Sequence, residues 1–227
     1  MRFIARICSI VCVIVFFGAA QQARAVVFSV TDWSGVPGAV TDVFSSGVTG
    51  FSVTTPTSGG NPGSAFQLST SLSGGSALTS RFIAFNGFTY DPGVSGAIDS
   101  FDFSVDKRNV DSTHGTGVGF KQDGFVYYLS LPAGSPVYQT FSGAGIDAGS
   151  LVSAVAGPIG PGLDFSASGS LIEMGLFAFS SAASATTLFD NWTITLNQAE
   201  ISVPAPGAAA IFAIGLVGMG IARKRRA

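Results

Sequence analysis

Between residues 26 and 202 apolar side chains recur at every second position, and the three-to-four spacing of an amphipathic helix is hard to find. Phe66, Leu68, Thr70 and Leu72 fall on one face of an extended segment, with Gln67, Ser69, Ser71 and Ser73 on the other. Phe101, Phe103 and Val105 alternate with Asp102, Ser104 and Asp106, which predicts a strand that buries its aromatic side and shows water an acidic edge. Trp192, Ile194 and Leu196 alternate with Thr193, Thr195 and Asn197 in the last strand. The run LIEMGLFAF from Leu171 is apolar on both faces, as a central strand is. Asp123-Gly124 tolerates the positive φ of a tight turn and predicts a hairpin between FKQ and FVYYLSL. Short strands punctuated by Gly, Pro, Ser and Asn predict an all-β fold, a two-sheet antiparallel sandwich or jelly roll over residues 26–202. The weakest pattern, over residues 143–169, predicts a long loop with one strand.

The two ends read differently. Arg2 and Arg6 precede an apolar stretch from Ile7 to Ala20, followed by Gln21-Gln22 and Ala23-Arg24-Ala25. A basic start, an apolar middle and small residues at Ala23 and Ala25 make residues 1–25 a signal peptide cut by signal peptidase, and an uncleaved N-terminal anchor is the other reading. The apolar stretch is shorter than the ~20 residues of a membrane span. Both cysteines, Cys8 and Cys12, lie inside it, so the exported chain is cysteine-free.

At the other end Val203, Pro204, Ala205, Pro206 and Gly207 precede the apolar segment 208–222 and the basic cluster Arg223, Lys224, Arg225 and Arg226. Fifteen residues of helix span roughly 22 Å, which crosses a bilayer when the flanking arginines snorkel. Basic residues on the far side and an acidic domain on the near side match the positive-inside rule for an exported domain. This tail resembles that of the PEP-CTERM proteins of Gram-negative bacteria: a short Pro-containing motif, a Gly-rich helix and a terminal Arg cluster. The resemblance covers residues 203–227 and the paired signal peptide. It implies a chain first held in the inner membrane, then cut by an exosortase-type membrane protease and released to the cell surface or the polysaccharide matrix. Ala205 stands where that family usually has Glu. A plain C-terminal anchor that is never cut is the other reading.

Composition narrows the chemistry. Of 227 residues only 11% are charged, and 30 are Gly. Residues 26–202 hold four basic residues (Arg81, Lys107, Arg108, Lys121) against all thirteen acidic ones, a formal charge of -9 that excludes nucleic acid as a partner. A glycosidase needs two carboxylates flanking a bond, one usually Glu. Here the only glutamates are Glu173, isolated in an apolar run, and Glu200, beside the tail. Asp102 and Asp106 share a face, and the reading favoured over catalysis is a solvated strand edge. His114, the single histidine, has no GxSxG elbow to accompany it and reads as an exposed loop residue. Gly115, Gly117 and Gly119 are followed by no helix that would make them a phosphate loop.

Two short strings, GGNPG from Gly59 and FDNWTI from Phe189, resemble pieces of jelly-roll domains of the concanavalin-like and laminin-B-like kind. That resemblance implies a structural calcium held by Asp190 with Asn61 and Asp32, an oxygen-ligand ion suited to a chain poor in His and Cys. The expected function is that of a non-enzymatic cell-surface or matrix protein that grips polysaccharide by stacking sugars on Tyr127, Tyr128, Tyr138 or Trp33. A glycan-acting hydrolase on the same scaffold is the alternative.

Overall fold

In the computed structural model, which describes residues 24–33, 36–46, 48–55, 58–72, 78–111, 114–154, 161–181 and 184–200, the alternating segments form twelve strands. They are β1 (Ala25–Val30), β2 (Pro37–Ser46), β3 (Val48–Thr54), β4 (Phe66–Leu72), β5 (Leu78–Tyr90), β6 (Ile98–Asn109), β7 (Gly115–Gln122), β8 (Phe125–Leu131), β9 (Gln139–Ile146), β10 (Val152–Ser153), β11 (Ile172–Ser180) and β12 (Ser184–Gln198). A single turn of helix, α1 (Pro92–Ser95), joins β5 to β6; Asp91 caps it by accepting from the Gly93 N–H. The predicted signal segment up to Ala23, the sorting motif 203–207, the apolar segment 208–222 and the basic cluster 223–226 lie outside the described residues. Among the described residues no helix is long and apolar enough to cross a membrane.

The strands build two antiparallel sheets. The first runs β3-β4-β12-β6-β9, with β1 also paired to β12; the second runs β10-β8-β7-β11-β5-β2. Period-two alternation decides which side chains meet between them. Phe66 and Leu68 of β4, Phe101 and Val105 of β6, Ile194 and Leu196 of β12 face Ile83 and Phe85 of β5, Val118 and Phe120 of β7 and Leu176 of β11 in one buried cluster. Its centre is aromatic: Phe85 meets Trp33 and Trp192 edge-on, at ring-centre distances of 5.4 and 5.3 Å.

The hairpin forms as the Asp123-Gly124 pair predicts, with φ of 52° and 82° at its two turn residues. β11 is a central strand between β7 and β5. Two expectations change, and the last strand proves longer than its alternation. Residues 143–169 hold the end of β9, a 3₁₀ turn at Ala148–Ser150 and β10 before a loop whose Leu163 and Phe165 enter the core. The last strand starts at Ser184, so FDNWTI lies in its middle. There the pairing with β6 shifts between Asp190 and Thr193, and Asn191 takes a φ of 46°. That bulge resets the alternation, so Phe189 and Trp192 both face inward although they are three residues apart. β6 is an interior strand between β12 and β9, not an acidic edge.

Candidate functional site

The outward face of the second sheet carries a second apolar cluster. Along β5 Ile83 and Phe85 point into the core, so Phe82 and Ala84 point away from it, where they gather with Val126, Phe177 and the partly buried Val43, Tyr128 and Ala154. Phe177 lies opposite Phe82 on one side and Gly117 on the other, and Tyr128 lies opposite Gly119. Tyr128 and Phe177 stack at 4.2 Å with 24° between their planes. The rings lean over β7 because three of its outward positions, 115, 117 and 119, are glycine. A Cβ on Gly115 would come within 1.9 Å of the Phe179 ring, on Gly117 within 3.0 Å of Tyr128, and on Gly119 within 2.9 Å of Phe82. Phe82 and Phe177 form a buried floor, Tyr128 is half-buried, and Phe179 is 44% exposed. The sequence reading missed Phe177 and Phe179. Glycine at 115, 117 and 119 was their signal, since period-two glycine in a strand clears one face for neighbouring rings.

A second constellation ties residues 59–61 to the end of the first sheet. Asp190 is fully buried and accepts from Trp33 Nε1 (3.2 Å), the Asn191 N–H (2.8 Å) and the Asn61 N–H (2.5 Å). Asp106 sits directly across the ladder, also buried. It accepts from Thr140 Oγ1 (2.5 Å), Asn191 Nδ2 (2.8 Å) and Asn61 Nδ2 (3.3 Å). Tyr138 adds a bond from its hydroxyl to the Gly59 carbonyl (2.7 Å). Thus Asp190 and Asn61 do meet, as the calcium expectation requires, while Asp32 lies exposed one residue before Trp33. The groups aimed at the carboxylates are N–H and O–H donors, however. A cation needs oxygens aimed at it, and among the described residues no group of three acidic, His or Cys side chains is placed to hold a metal. As arranged, the two carboxylates are met by hydrogen bonds.

Several other site residues sit differently from their expectation. Trp33 is wholly buried, packed 5.2 Å from Phe66, and Tyr127 is 3% exposed with its ring in the core, so neither offers a face to a sugar. Both rings lie in the core cluster between the sheets, where burial outweighs the polar edge of the ring. Tyr138 is half-buried, and its hydroxyl is pushed up to about 12, first by burial and then by the nearby Asp190 and Asp106 charges, with Arg108 opposing. His114 is not an exposed loop residue: it is wholly buried, with Nε2 2.9 Å from Thr70 Oγ1 and Nδ1 3.0 Å from Thr187 Oγ1. Asp102 is half-buried and accepts from the Gly145 N–H and Asn197 Nδ2. Glu173 pairs with Lys121 at 3.0 Å.

No protein-family model and no curated protein matches the chain. Solved structures do. A family 30 carbohydrate-binding module is 15% identical with a TM-score of 0.52, over 79% of this chain and 92% of that one. The family 11 carbohydrate-binding module of Clostridium thermocellum, solved with a β-1,3-1,4-mixed-linked tetrasaccharide, is 18% identical with a TM-score of 0.47, over 79% and 99%. The likeness is one of fold and rests on the first of these: the chain is a two-sheet antiparallel β-sandwich of the kind carbohydrate-binding modules use.

Proposed function

We propose that this chain is an exported, non-catalytic polysaccharide-binding protein, delivered by its signal segment and sorted through its C-terminal tail by an exosortase-type protease. The observation that carries the binding role is the outward aromatic cluster, Tyr128 and Phe179 above a floor of Phe82 and Phe177, cleared by the glycines of β7. Phe179 is exposed and Tyr128 half-buried, so both offer ring surface to solvent, and an apolar ring face is what the C–H face of a pyranose stacks on. Tyr128 and Phe179 lie opposite β7 residues four positions apart, about 13 Å along the strand, a span that a short oligosaccharide bridges. The family 30 module of like fold is a carbohydrate-binding module, which supports the same reading. Non-catalysis is supported by the carboxylates: Asp102 and Asp106, the pair that shares a strand face, are engaged by backbone, Asn and Thr donors of the fold itself.

The test is retention on immobilised matrix polysaccharide together with an assay for released reducing ends. Tyr128→Ala and Phe179→Ala are each expected to weaken retention about fivefold or more, the worth of roughly 1 kcal/mol of aromatic contact. Tyr138→Ala is expected to leave it unchanged. Retention indifferent to both outward rings overturns the face; hydrolysis lost in Asp102→Asn or Asp106→Asn overturns the non-catalytic role.

A further inference from the structure

Away from the aromatic face, the tip of the β7–β8 hairpin and the segment after residue 160 enclose a cleft of about 360 Å³, lined by Gln122, Asp123, Phe125, Tyr127, Pro161 and Asp164 among others. That volume falls at the small end of the range in which proteins hold small molecules, enough for a short piece of ligand. We propose that this cleft is a second carbohydrate site, which takes a single uncharged pyranose unit. The inference rests on the reading of the domain as glycan-binding but not on the aromatic face.

The walls are held in place before any ligand arrives. Gln122 is buried, and its amide donates to the carbonyls of Asp164 (3.0 Å) and Ser170 (2.9 Å) and accepts from the Asp164 N–H (2.7 Å). Three bonds from one side chain thus pin the loop to the hairpin. Asp123 accepts from Ser170 Oγ (2.7 Å), and Asp164 from the Ser166 N–H (2.8 Å), each through Oδ1. Among the described residues the second oxygen of each carboxylate accepts no hydrogen bond, and both aspartates are exposed. Tyr127 has its ring in the core and its hydroxyl end at the cleft, bonded to the Gly162 backbone. Phe125 and Pro161 supply apolar surface.

The chemistry of this lining selects its ligand. Free carboxylate oxygens accept from neighbouring sugar hydroxyls, and the half-buried Phe125 ring takes a C–H face. The lining contains no Lys or Arg, so two like charges face whatever enters. That repels uronates, sulfated sugars and phosphates and leaves neutral sugars.

Full-length protein is titrated with methyl β-D-glucopyranoside, the matching galacto- and mannopyranosides, and methyl β-D-glucuronide, with binding read by saturation-transfer NMR. At least one neutral glycoside is expected to bind, at least tenfold more weakly to Asp164→Asn and to Phe125→Ala, and undiminished to Tyr128→Ala; the glucuronide is expected not to bind. Asn at 164 keeps the oxygen that the Ser166 N–H needs, and melting temperatures show whether each variant is folded. The proposal is overturned if no neutral glycoside binds, if binding survives in both cleft variants, or if the glucuronide binds as well. Retention on polysaccharide that depends on Tyr128, without glycoside binding at the cleft, overturns this site alone. Glycoside binding at the cleft, with retention indifferent to Tyr128, overturns the aromatic face alone.

Discussion

His114 shows how burial reverses the reading of a single residue. Held between two threonine hydroxyls, its imidazole is pulled down to about 4, chiefly because burial penalises the charged form; Lys107 adds to the shift and Asp111 opposes it. The unfolded chain takes up the proton near pH 6.5, so between that pH and about 4 it binds more protons than the native one. The contribution of neutral His114 is therefore complete above pH 6.5 and is lost as pH falls, by roughly 3 kcal/mol over the window. Urea midpoints measured from pH 7 to 4 should fall, and the fall should flatten in His114→Gln. Lys107, buried with Nζ on the Pro132 carbonyl, is lowered to about 8, so stability rises with pH from about 8 toward 10.5. Tyr138, raised to about 12, acts oppositely above pH 10, because there the unfolded tyrosine loses its proton first. A stability maximum near pH 10 is expected. At Asp190, removal of the carboxylate strands the Trp33 indole and two backbone N–H groups, so Asp190→Ala should cost about 3 kcal/mol or more. Because donors already satisfy that site, wild-type protein should melt at the same temperature in calcium and in chelator; a rise with calcium would show that the ion displaces those bonds.

At the level of elements, two glycines in neighbouring strands serve different ends. Gly115 of β7 clears space for the Phe179 ring, a side chain that is 44% exposed and able to swing away. Gly175 of β11 lies where the pairing with β5 shifts, and a Cβ there would come within 1.9 Å of the Ile83 carbonyl oxygen. Backbone in the middle of a sheet cannot step aside. Gly175→Ala should therefore cost several kcal/mol and Gly115→Ala well under half of that, measured by denaturant unfolding of the two variants side by side. The reverse order would mean that the strand irregularity at residue 175 yields more easily than the ring. The bulge in β12 shows the same economy of position: Asn191 takes the left-handed conformation and spends its side-chain amide on the Asn61 carbonyl and the Asp106 carboxylate.

For the molecule as a whole, both proposed processing points lie at the edges of the strands. Residues 24–199 form one unit, and cleavage after Ala25 removes from β1 only its first residue, together with the Arg24 carbonyl that accepts from the Gln198 N–H. The proposed tail cut at 203–207 falls beyond Gln198, the last residue of β12. Protein recovered from the envelope should begin at Val26 by intact mass, and Pro204→Ala with Pro206→Ala should leave an uncut form that stays with the membrane. The processed chain should melt within a few degrees of the uncut one, since among the described residues the cut after Ala25 removes one strand residue and one backbone hydrogen bond. Wild-type protein that always keeps Arg223 to Arg226 would leave the plain anchor as the working reading.

Period-two alternation is a local property, and for that reason the amino-acid order alone was enough to place β4, β6, the β7–β8 hairpin, β11 and the second half of β12, and through them a sandwich of two sheets. The pairing of Asp190 with Asn61 was also within reach, because both occur in short strings that resemble pieces of a known kind of domain. What alternation cannot convey is which strands become neighbours. β6 became an interior strand only when β9 closed over it, and that burial turned Asp106 from a wet edge residue into the acceptor of three hydrogen bonds. Likewise Trp33, His114 and Tyr127 carry polar atoms and look available along the chain, yet the packing of one sheet on the other encloses them. The outward rings of β5, β8 and β11 meet only because antiparallel register sets them across the glycines of β7, and register arises from contacts between residues far apart in the chain.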